Sequence, residues 1–164
     1  MRTVVCDASP LIFLAKLDRL HLVHDLLGER TCVLRLVVDE VCRVDAPPVE
    51  LGRLNRFLNG IEVIDFTEAG HISQSLSRSD RATLNWAIRN RPDHLLVDER
   101  LLRRVAVGEG LTVIGTLGLL FMAERDRILT KTELRTCLED LAGKHDFRIS
   151  VDLYQRILRE LESL

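Results

Sequence analysis

The sequence predicts an α/β protein: a three-layer α/β/α sandwich around a parallel sheet of about five strands, followed by further helices. Three observations predict this fold. Short apolar runs recur along the chain, segments with helical periodicity separate them, and only helical patterns follow Gly115. Strands spaced by helices of this length form parallel sheets covered on both faces, and the right-handed crossover rule makes a doubly wound sandwich the natural topology.

The strand-like runs are short, apolar and bounded by turn residues. We expect strands at 3–6, 31–33, 61–64, 94–97 and 112–114. Between and after these runs, apolar residues recur with helical spacing. We expect helices at 10–16, 18–27, 36–43, 49–59, 68–75, 80–90, 99–108, 116–125, 131–142 and 150–162.

A few residues with strong positional preferences set the helix boundaries. Ser9 is the predicted N-cap of the first helix, with Pro10 at its first helical position. Gly28 ends the second helix, the segment 46–48 separates the third from the fourth, and Gly60 ends the fourth. The last helix has a one-sided apolar stripe that the domain itself or a partner must cover. Its members are Leu153, Ile157, Leu158 and Leu161.

Length and composition favour one well-buried core. At 164 residues with 46% hydrophobic content, the chain is short for two domains, so we expect one domain over 1–130 and a helical extension, 131–164, packed on it. The four cysteines lack the spacing of a zinc site or disulfide framework. The apolar runs are far shorter than the roughly 20 residues that span a bilayer, and no signal peptide pattern opens the chain. We therefore expect a cytoplasmic protein without a membrane partner.

The charge pattern restricts how this protein could meet a polyanion. The net charge is −2, so a nucleic-acid site would have to be a local patch. The basic residues are nearly all arginines, whose guanidinium groups bind phosphate in a bidentate way that ammonium groups cannot. Coding bias explains this preference for arginine equally well.

Acidic residues follow two of the predicted strands. Asp7 closes the run 3–7, and Asp98 closes the run 94–98. Ligand sites of open parallel sheets lie outside the carboxyl ends of the strands, so these carboxylates converge if their strands are neighbours. Two more acids lie on nearby helices, Glu40 after the second strand and Asp80 before the fourth. Oxygen ligands of this kind suit Mg²⁺ or Mn²⁺, so a metal site is predicted.

Each of these acids also has a purely structural interpretation. Asp7 could form an Asx turn, and Asp98 could be the N-cap of the next helix. Asp80 stands three residues after Ser77, the spacing of a capping box. Glu40 could be a solvated helix residue. The prediction of a metal site therefore rests on the set of four rather than on any single acid.

Three sequence blocks resemble the PIN domain, the metal-dependent ribonuclease fold of VapC-type toxins, over roughly residues 3 to 125. The closest likeness is to a less characterised prokaryotic branch of PIN-like proteins with an extra helical carboxyl-terminal segment. The blocks are Asp7-Ala-Ser-Pro-Leu-Ile-Phe-Leu-Ala-Lys-Leu, then Leu96-Val97-Asp98-Glu99-Arg100 followed by Arg103-Arg104-Val105-Ala106, and finally Val113-Ile114-Gly115-Thr116-Leu117-Gly118-Leu119-Leu120.

The resemblance implies that Asp7, Glu40, Asp80 and Asp98 are catalytic metal ligands. Asp39 is the competing assignment for Glu40, and Leu34 stands where the family usually has proline. Asp80 follows Ser79 where the branch usually has glutamate after glycine. A shorter side chain there favours a contact bridged by water.

The activity that the resemblance implies is endonucleolytic hydrolysis of RNA with Mg²⁺ or Mn²⁺, with water as the nucleophile and a 5′-phosphate product. Several side chains near the acids would hold the substrate, although Ser9 and Thr116 could equally be helix N-caps. They are Ser9, Thr116, Arg81, Arg100, Arg103 and Arg104, with Arg78 as a further possibility. PIN toxins are commonly homodimers inhibited by a small antitoxin, and the resemblance implies the same here.

One other class of function remains open from the sequence, and a third is disfavoured. Ser79-Asp80 and the missing proline near 34 also fit a catalytically weakened PIN fold that binds RNA or a protein. A phosphate-accepting receiver domain would need paired carboxylates after the first strand and a lysine after the last, and this chain has neither.

Overall fold

The computed structural model describes residues 1–70, 75–145, 147 and 151–163. In these residues, five parallel strands form one sheet in the order β3-β2-β1-β4-β5. Their bounds are Thr3–Cys6 for β1, Arg30–Leu34 for β2, Glu62–Ile64 for β3, His94–Leu96 for β4 and Val113–Ile114 for β5. The predicted parallel α/β sandwich is confirmed. Each strand begins and ends within one residue of its predicted bounds.

Helices connect the strands and follow the last one. The first four are α1 (Ala8–Leu17), α2 (His21–Leu27), α3 (Arg35–Val41) and α4 (Pro48–Asn59), which precede β3. The next are α5 (Arg78–Asn90) before β4, α6 (Arg100–Gly108) before β5, and then α7 (Thr116–Arg125), α8 (Lys131–Lys144) and α9 (Val151–Ser163). No helix in the described residues is long and apolar enough to cross a membrane.

The strand order produces a crevice between β1 and β4. The chain runs from β1 outward to β2 and β3, then returns across the sheet to β4 beside β1. Val5 pairs with Leu95 and Cys6 with Leu96, and the N–H of Asp7 donates to the carbonyl oxygen of Leu96 at 2.9 Å. Connections leave β1 and β4 in opposite directions, and such a switch point is where open α/β sheets bind ligands.

The centre of the sheet forms the core. Val4, Val5, Leu95 and Leu96 are fully buried, as expected for parallel strands covered on both faces. Trp86 of α5 also belongs to the core, with 7% of its surface exposed. The four cysteines are free, as the sequence predicts.

Two predicted features of the helices are wrong. Helix α1 begins at Ala8, so Ser9 lies in its first turn and is not the N-cap; Pro10 is accommodated there because the first-turn N–H groups have no partner within the helix. A helix at 68–75 is not formed at its described ends, because 68–69 have no regular structure and Gly70 lies in a turn with φ of 62°. Residues 71–74 lie outside the described residues.

The contacts of the chain cluster into two compact units, 1–119 and 120–164. The first contains the sheet and the acidic residues of interest. In the second, Thr130 and Glu133 form a reciprocal capping box that begins α8, and α8 packs against α9. Ile157 of the apolar stripe is buried and Leu158 is half-buried, while the side chains of Leu153 and Leu161 lie outside the described residues. The division into 1–130 and 131–164 stays a prediction.

Candidate active site

Asp7 is the buried centre of the acidic site. It follows β1 in extended conformation and occupies the N-cap position of α1, yet its side chain makes no capping hydrogen bond. The residue is 2% exposed, and its Oδ1 atom has no hydrogen-bond partner within the described structure. A buried carboxylate oxygen without a partner is costly in a folded protein. The Asx-turn interpretation therefore does not account for Asp7.

Asp80 provides the second carboxyl group of the site. The carboxyl group of Asp80 lies close enough to act on that of Asp7. Burial raises the pKa of Asp7 well above its ordinary value of 3.8; the nearby carboxyl groups of Asp80 and Glu40 raise it further, while the backbone N–H of Ala8 opposes the change. The two carboxyl groups thus share a site that disfavours two negative charges.

The start of α5 aims Asp80 at Asp7. Ser77 is the N-cap of this helix, and its Oγ accepts a hydrogen bond from the backbone N–H of Asp80 at 3.1 Å. The sequence predicts this cap. Only half of the predicted capping box forms, because Ser77 accepts from the backbone N–H of Asp80 while the carboxyl group of Asp80 acts on Asp7.

Glu40 joins the site from α3 through a hydroxyl group. The Oγ of Ser79 donates to Oε2 of Glu40 at 2.5 Å, and it lies 3.2 Å from the Oγ of Ser77. Glu40 is half-buried, whereas Asp39 is exposed, so the structure brings Glu40 and not Asp39 to the cluster. Sequence reasoning did not find the role of Ser79, since the two partners are 39 residues apart.

Asp98 lies at the end of the neighbouring strand β4 and is held by Thr116. Its Oδ1 accepts from the backbone N–H of Thr116 at 2.7 Å, and its Oδ2 accepts from the Thr116 hydroxyl at 2.6 Å. Burial raises the pKa of Asp98, while the hydrogen bonds from Thr116 and the positive charge of Arg103 oppose the change. Asp98 is not the N-cap of α6, because Glu99 occupies that position and its carboxylate accepts from the N–H of Leu102 at 2.6 Å.

Gly115 leaves room for the carboxylate of Asp98. A Cβ atom at position 115 would lie 2.9 Å from Oδ1 of Asp98 and 3.2 Å from Nη1 of Arg103. The first distance is too short for any side chain without a shift of the aspartate. The glycine is therefore part of the site, a role that sequence reasoning also missed.

The acids form two neighbouring groups. Asp7, Asp80 and Glu40 interact electrostatically, while Asp98 pairs with Thr116 on the adjacent strand end. No three histidine, cysteine, aspartate or glutamate side chains of the described residues stand ready to hold a metal ion. Mg²⁺, however, usually takes one or two carboxylates and keeps several waters. The contact between Asp7 and Asp80, with a partnerless oxygen on Asp7, fits that mode of binding.

The predicted substrate-binding residues lie in different environments. Arg103 is exposed, and its positive charge acts on the carboxyl group of Asp98. Arg100, Arg104 and Arg78 are exposed, Arg81 and Ser9 are half-buried, and Thr116 is fully buried. Thr116 therefore positions Asp98, and the structure gives it no open surface for a substrate.

These features define a class of protein: a parallel α/β domain with buried carboxyl groups at the switch point of its sheet. A family model described as a PIN domain matches residues 3–163, and the chain belongs to the PIN-domain family. No curated protein matches the sequence at a significant level. PIN domains are generally nucleases that act on nucleic acids and typically use divalent metal ions. The match extends through α8 and α9, beyond the 3–125 of the predicted resemblance.

Proposed function

We propose that this protein is a metal-dependent endoribonuclease that hydrolyses phosphodiester bonds of single-stranded or looped RNA. One observation carries most of the proposal. Asp7 is buried at the switch point beside the carboxyl group of Asp80, and one of its oxygens has no hydrogen-bond partner in the described structure. A buried carboxyl group whose surroundings disfavour its negative charge destabilises the folded protein, so such groups are typical of functional sites rather than of the structural core.

Asp7 and Asp80 are the residues proposed to hold Mg²⁺ or Mn²⁺, with Glu40 and Asp98 contributing through water. A bound divalent ion lowers the pKa of a coordinated water and neutralises the charge that develops on the phosphate. The chain's own groups fix the carboxylates: Ser79 holds Glu40, Ser77 orients the start of α5, and Thr116 holds Asp98.

Arginines beside the acids are proposed to hold the phosphates of the substrate. Arg103 follows Asp98 on α6, is exposed, and lies close enough to influence the pKa of Asp98. Arg100 and Arg104 are on the same helix, and Arg81 is on α5 one residue after Asp80. Guanidinium groups next to a carboxylate site attract a phosphate that carboxylates alone would repel.

The test is cleavage of mixed RNA in Mn²⁺ by the wild type and by Asp7→Asn and Asp98→Asn. We expect cleavage by the wild type, loss of activity in both variants, and wild-type activity in Asp25→Asn, which changes an exposed aspartate of α2. Equal rates in the wild type and the two site variants would refute the assigned site. Absence of cleavage by the wild type would refute the activity.

A catalytically weakened PIN fold that binds RNA or a protein is the alternative function. One observation favours this alternative: within the described residues, no three histidine, cysteine, aspartate or glutamate side chains are arranged to hold a metal ion. Titration with Mg²⁺ and Mn²⁺ by calorimetry separates the two. Binding in the millimolar range or tighter that Asp7→Asn removes supports the nuclease, and lack of binding supports the alternative.

In the cell, we propose a toxin-like role for this nuclease, as the PIN-domain resemblance suggests. The expected setting is cytoplasmic, with a homodimer and a cognate antitoxin protein as partners. Expression of the wild type should then arrest growth, Asp7→Asn should not, and a short neighbouring reading frame should restore growth when co-expressed. Normal growth on expression of an active, soluble wild type would remove the toxin role while leaving the nuclease intact.

A further inference from the structure

An open groove lies at the end of helix α1, which leads away from the acidic site. The helix begins beside Asp7, and Asp18, at its other end, lines the groove. Ten helical residues at 1.5 Å each place the groove roughly 15 Å from the acids. Its volume is about 370 Å³, within the roughly 300–1,000 Å³ of typical ligand sites.

The wall of the groove combines apolar and basic side chains. Leu20 and Phe57 form the apolar part, and Phe57 is half-buried. Arg53 and Arg56 of α4 supply positive charge, and His21 supplies an imidazole group that can donate a hydrogen bond.

The acidic residue of this wall, Asp18, is paired with an arginine. Its Oδ1 lies 3.4 Å from Nε of Arg53. The same arginine donates from Nη1 to the carbonyl oxygens of Ala15 and Lys16 at 2.9 and 3.4 Å. Arg53 thus covers the last carbonyl groups of α1 and opposes the negative end of the helix dipole. The pair of Asp18 and Arg53 has no net charge.

Arg56 leaves the groove with an uncompensated positive charge. Within the described residues, no hydrogen bond or ion pair engages the side chain of Arg56 or of His21, and both residues are exposed. The ring of Phe57 lies in the same wall. Proteins that bind single-stranded RNA without sequence preference combine a positively charged groove with aromatic side chains on which bases stack. The groove has both features.

The surface between the acids and the groove has balanced charges. Helix α4 packs against α1, and the ammonium group of Lys16 donates to both oxygens of Glu50 at 3.0 Å across this contact. The cavity at the start of α4 carries both Arg43 and Asp45 in its wall. A strand that leaves the acids along α1 therefore passes charges of both signs before it reaches Arg56.

We infer that this groove holds the RNA strand beyond the cleavage site, with Arg56 on a backbone phosphate and Phe57 under a base. A stacked strand advances about 3.4 Å per nucleotide, so the groove lies about four to five nucleotides from the scissile bond. The contact is independent of sequence, because neither a phosphate contact nor stacking reads the edge of a base. The inference rests on the proposed function, since the strand is the substrate of that site.

The test measures binding apart from cleavage. Fluorescent uracil-tract RNAs of four and twelve nucleotides are titrated by anisotropy in EDTA at several salt concentrations. The wild type should bind the longer strand at least about tenfold more tightly, because only that strand reaches from the arginines of α6 to the groove. In Arg56→Gln, the longer strand should bind about threefold more weakly. The slope of log K against log salt concentration should become shallower by about 0.7, the value of one phosphate contact on a single strand.

Two further variants separate the groove from general electrostatics. Phe57→Leu keeps an apolar side chain but removes the ring, so the longer strand should bind about fivefold more weakly or worse, with the salt slope unchanged. Arg125→Gln changes an exposed arginine of α7 that does not line the groove, and it should bind both strands as the wild type does. The four-nucleotide strand should bind Arg56→Gln and the wild type alike.

The outcomes separate this inference from the nuclease proposal. Equal affinity of the wild type for the two lengths would overturn the groove, whether or not Mn²⁺ supports cleavage. An unchanged salt slope in Arg56→Gln, or an equal loss of affinity in Arg125→Gln, would also overturn it. A length dependence that Arg56→Gln weakens, together with no cleavage in Mn²⁺, would uphold the groove and refute the nuclease.

Discussion

At the scale of single residues, Asp7 illustrates a conflict between stability and activity. Its carboxyl group is buried next to Asp80, and the pKa of Asp7 is raised chiefly by burial. A raised pKa in the folded state means that the proton on Asp7 favours folding at low pH. This contribution is fully present below the ordinary value of 3.8 and is lost as the pH rises through the raised value.

The variant Asp7→Asn should therefore be more stable than the wild type at neutral pH without metal. The amide removes a buried charge and can still donate a hydrogen bond to Asp80. We expect a gain of about 1 kcal/mol, or roughly 2–4 °C in Tm, which disappears below the ordinary pKa. Thermal unfolding in EDTA across pH measures it, with Asp25→Asn as the exposed control. A lower Tm for Asp7→Asn at neutral pH would contradict this account.

Ser79 should affect catalysis more than stability. Its hydroxyl holds Glu40 at 2.5 Å, and residues that orient carboxylates at metal sites typically contribute about 10–100-fold to activity or metal affinity. In Ser79→Ala, kcat should fall by about tenfold or more. Ser77→Ala is the matched control: it removes the cap of α5, so it should cost about 1 kcal/mol of stability with a smaller loss of kcat. The reverse order of the two kcat losses would exclude a positioning role for Ser79.

At the scale of elements, the sequence predicts the sheet well. Each strand is a short apolar run, and a helical segment or a turn separates it from the next one. It predicts the start of α1 wrongly because Ser9 and Pro10 have strong local preferences, while the extended backbone of Asp7 starts the helix at Ala8. The link from Glu40 to Ser79 joins α3 to α5, and no local pattern encodes a contact of that span. Asp7 and Asp98 were found from strand ends alone, whereas the contact of Asp7 with Asp80 required the tertiary fold.

Replacement by alanine should have opposite effects on stability at Gly52 and at Gly115. Gly52 lies within α4 with nothing within 4 Å of an added Cβ, so Gly52→Ala should stabilise the protein by about 0.5–1 kcal/mol. Gly115 precedes α7, and an added Cβ would meet Asp98 at 2.9 Å, so Gly115→Ala should lower both stability and metal affinity. Chemical denaturation and metal titration of both variants test this. Wild-type metal affinity in Gly115→Ala would show that the fit around Asp98 is not required.

At the scale of the whole molecule, metal binding should couple to folding through Asp7. An ion that binds only the folded state stabilises it by about 2.7 kcal/mol at a hundred times its Kd. A bound cation must replace the proton that burial favours on Asp7, so metal ions and protons compete at pH values below the raised pKa of Asp7. The rise in Tm caused by Mn²⁺ should therefore be larger at about pH 8 than at about pH 6. Scanning calorimetry of the wild type and of Asp7→Asn measures this, and the variant should show no Mn²⁺-dependent shift at either pH. A shift of equal size in the variant would place the ion elsewhere, because only a site that includes Asp7 makes metal binding compete with the proton on Asp7.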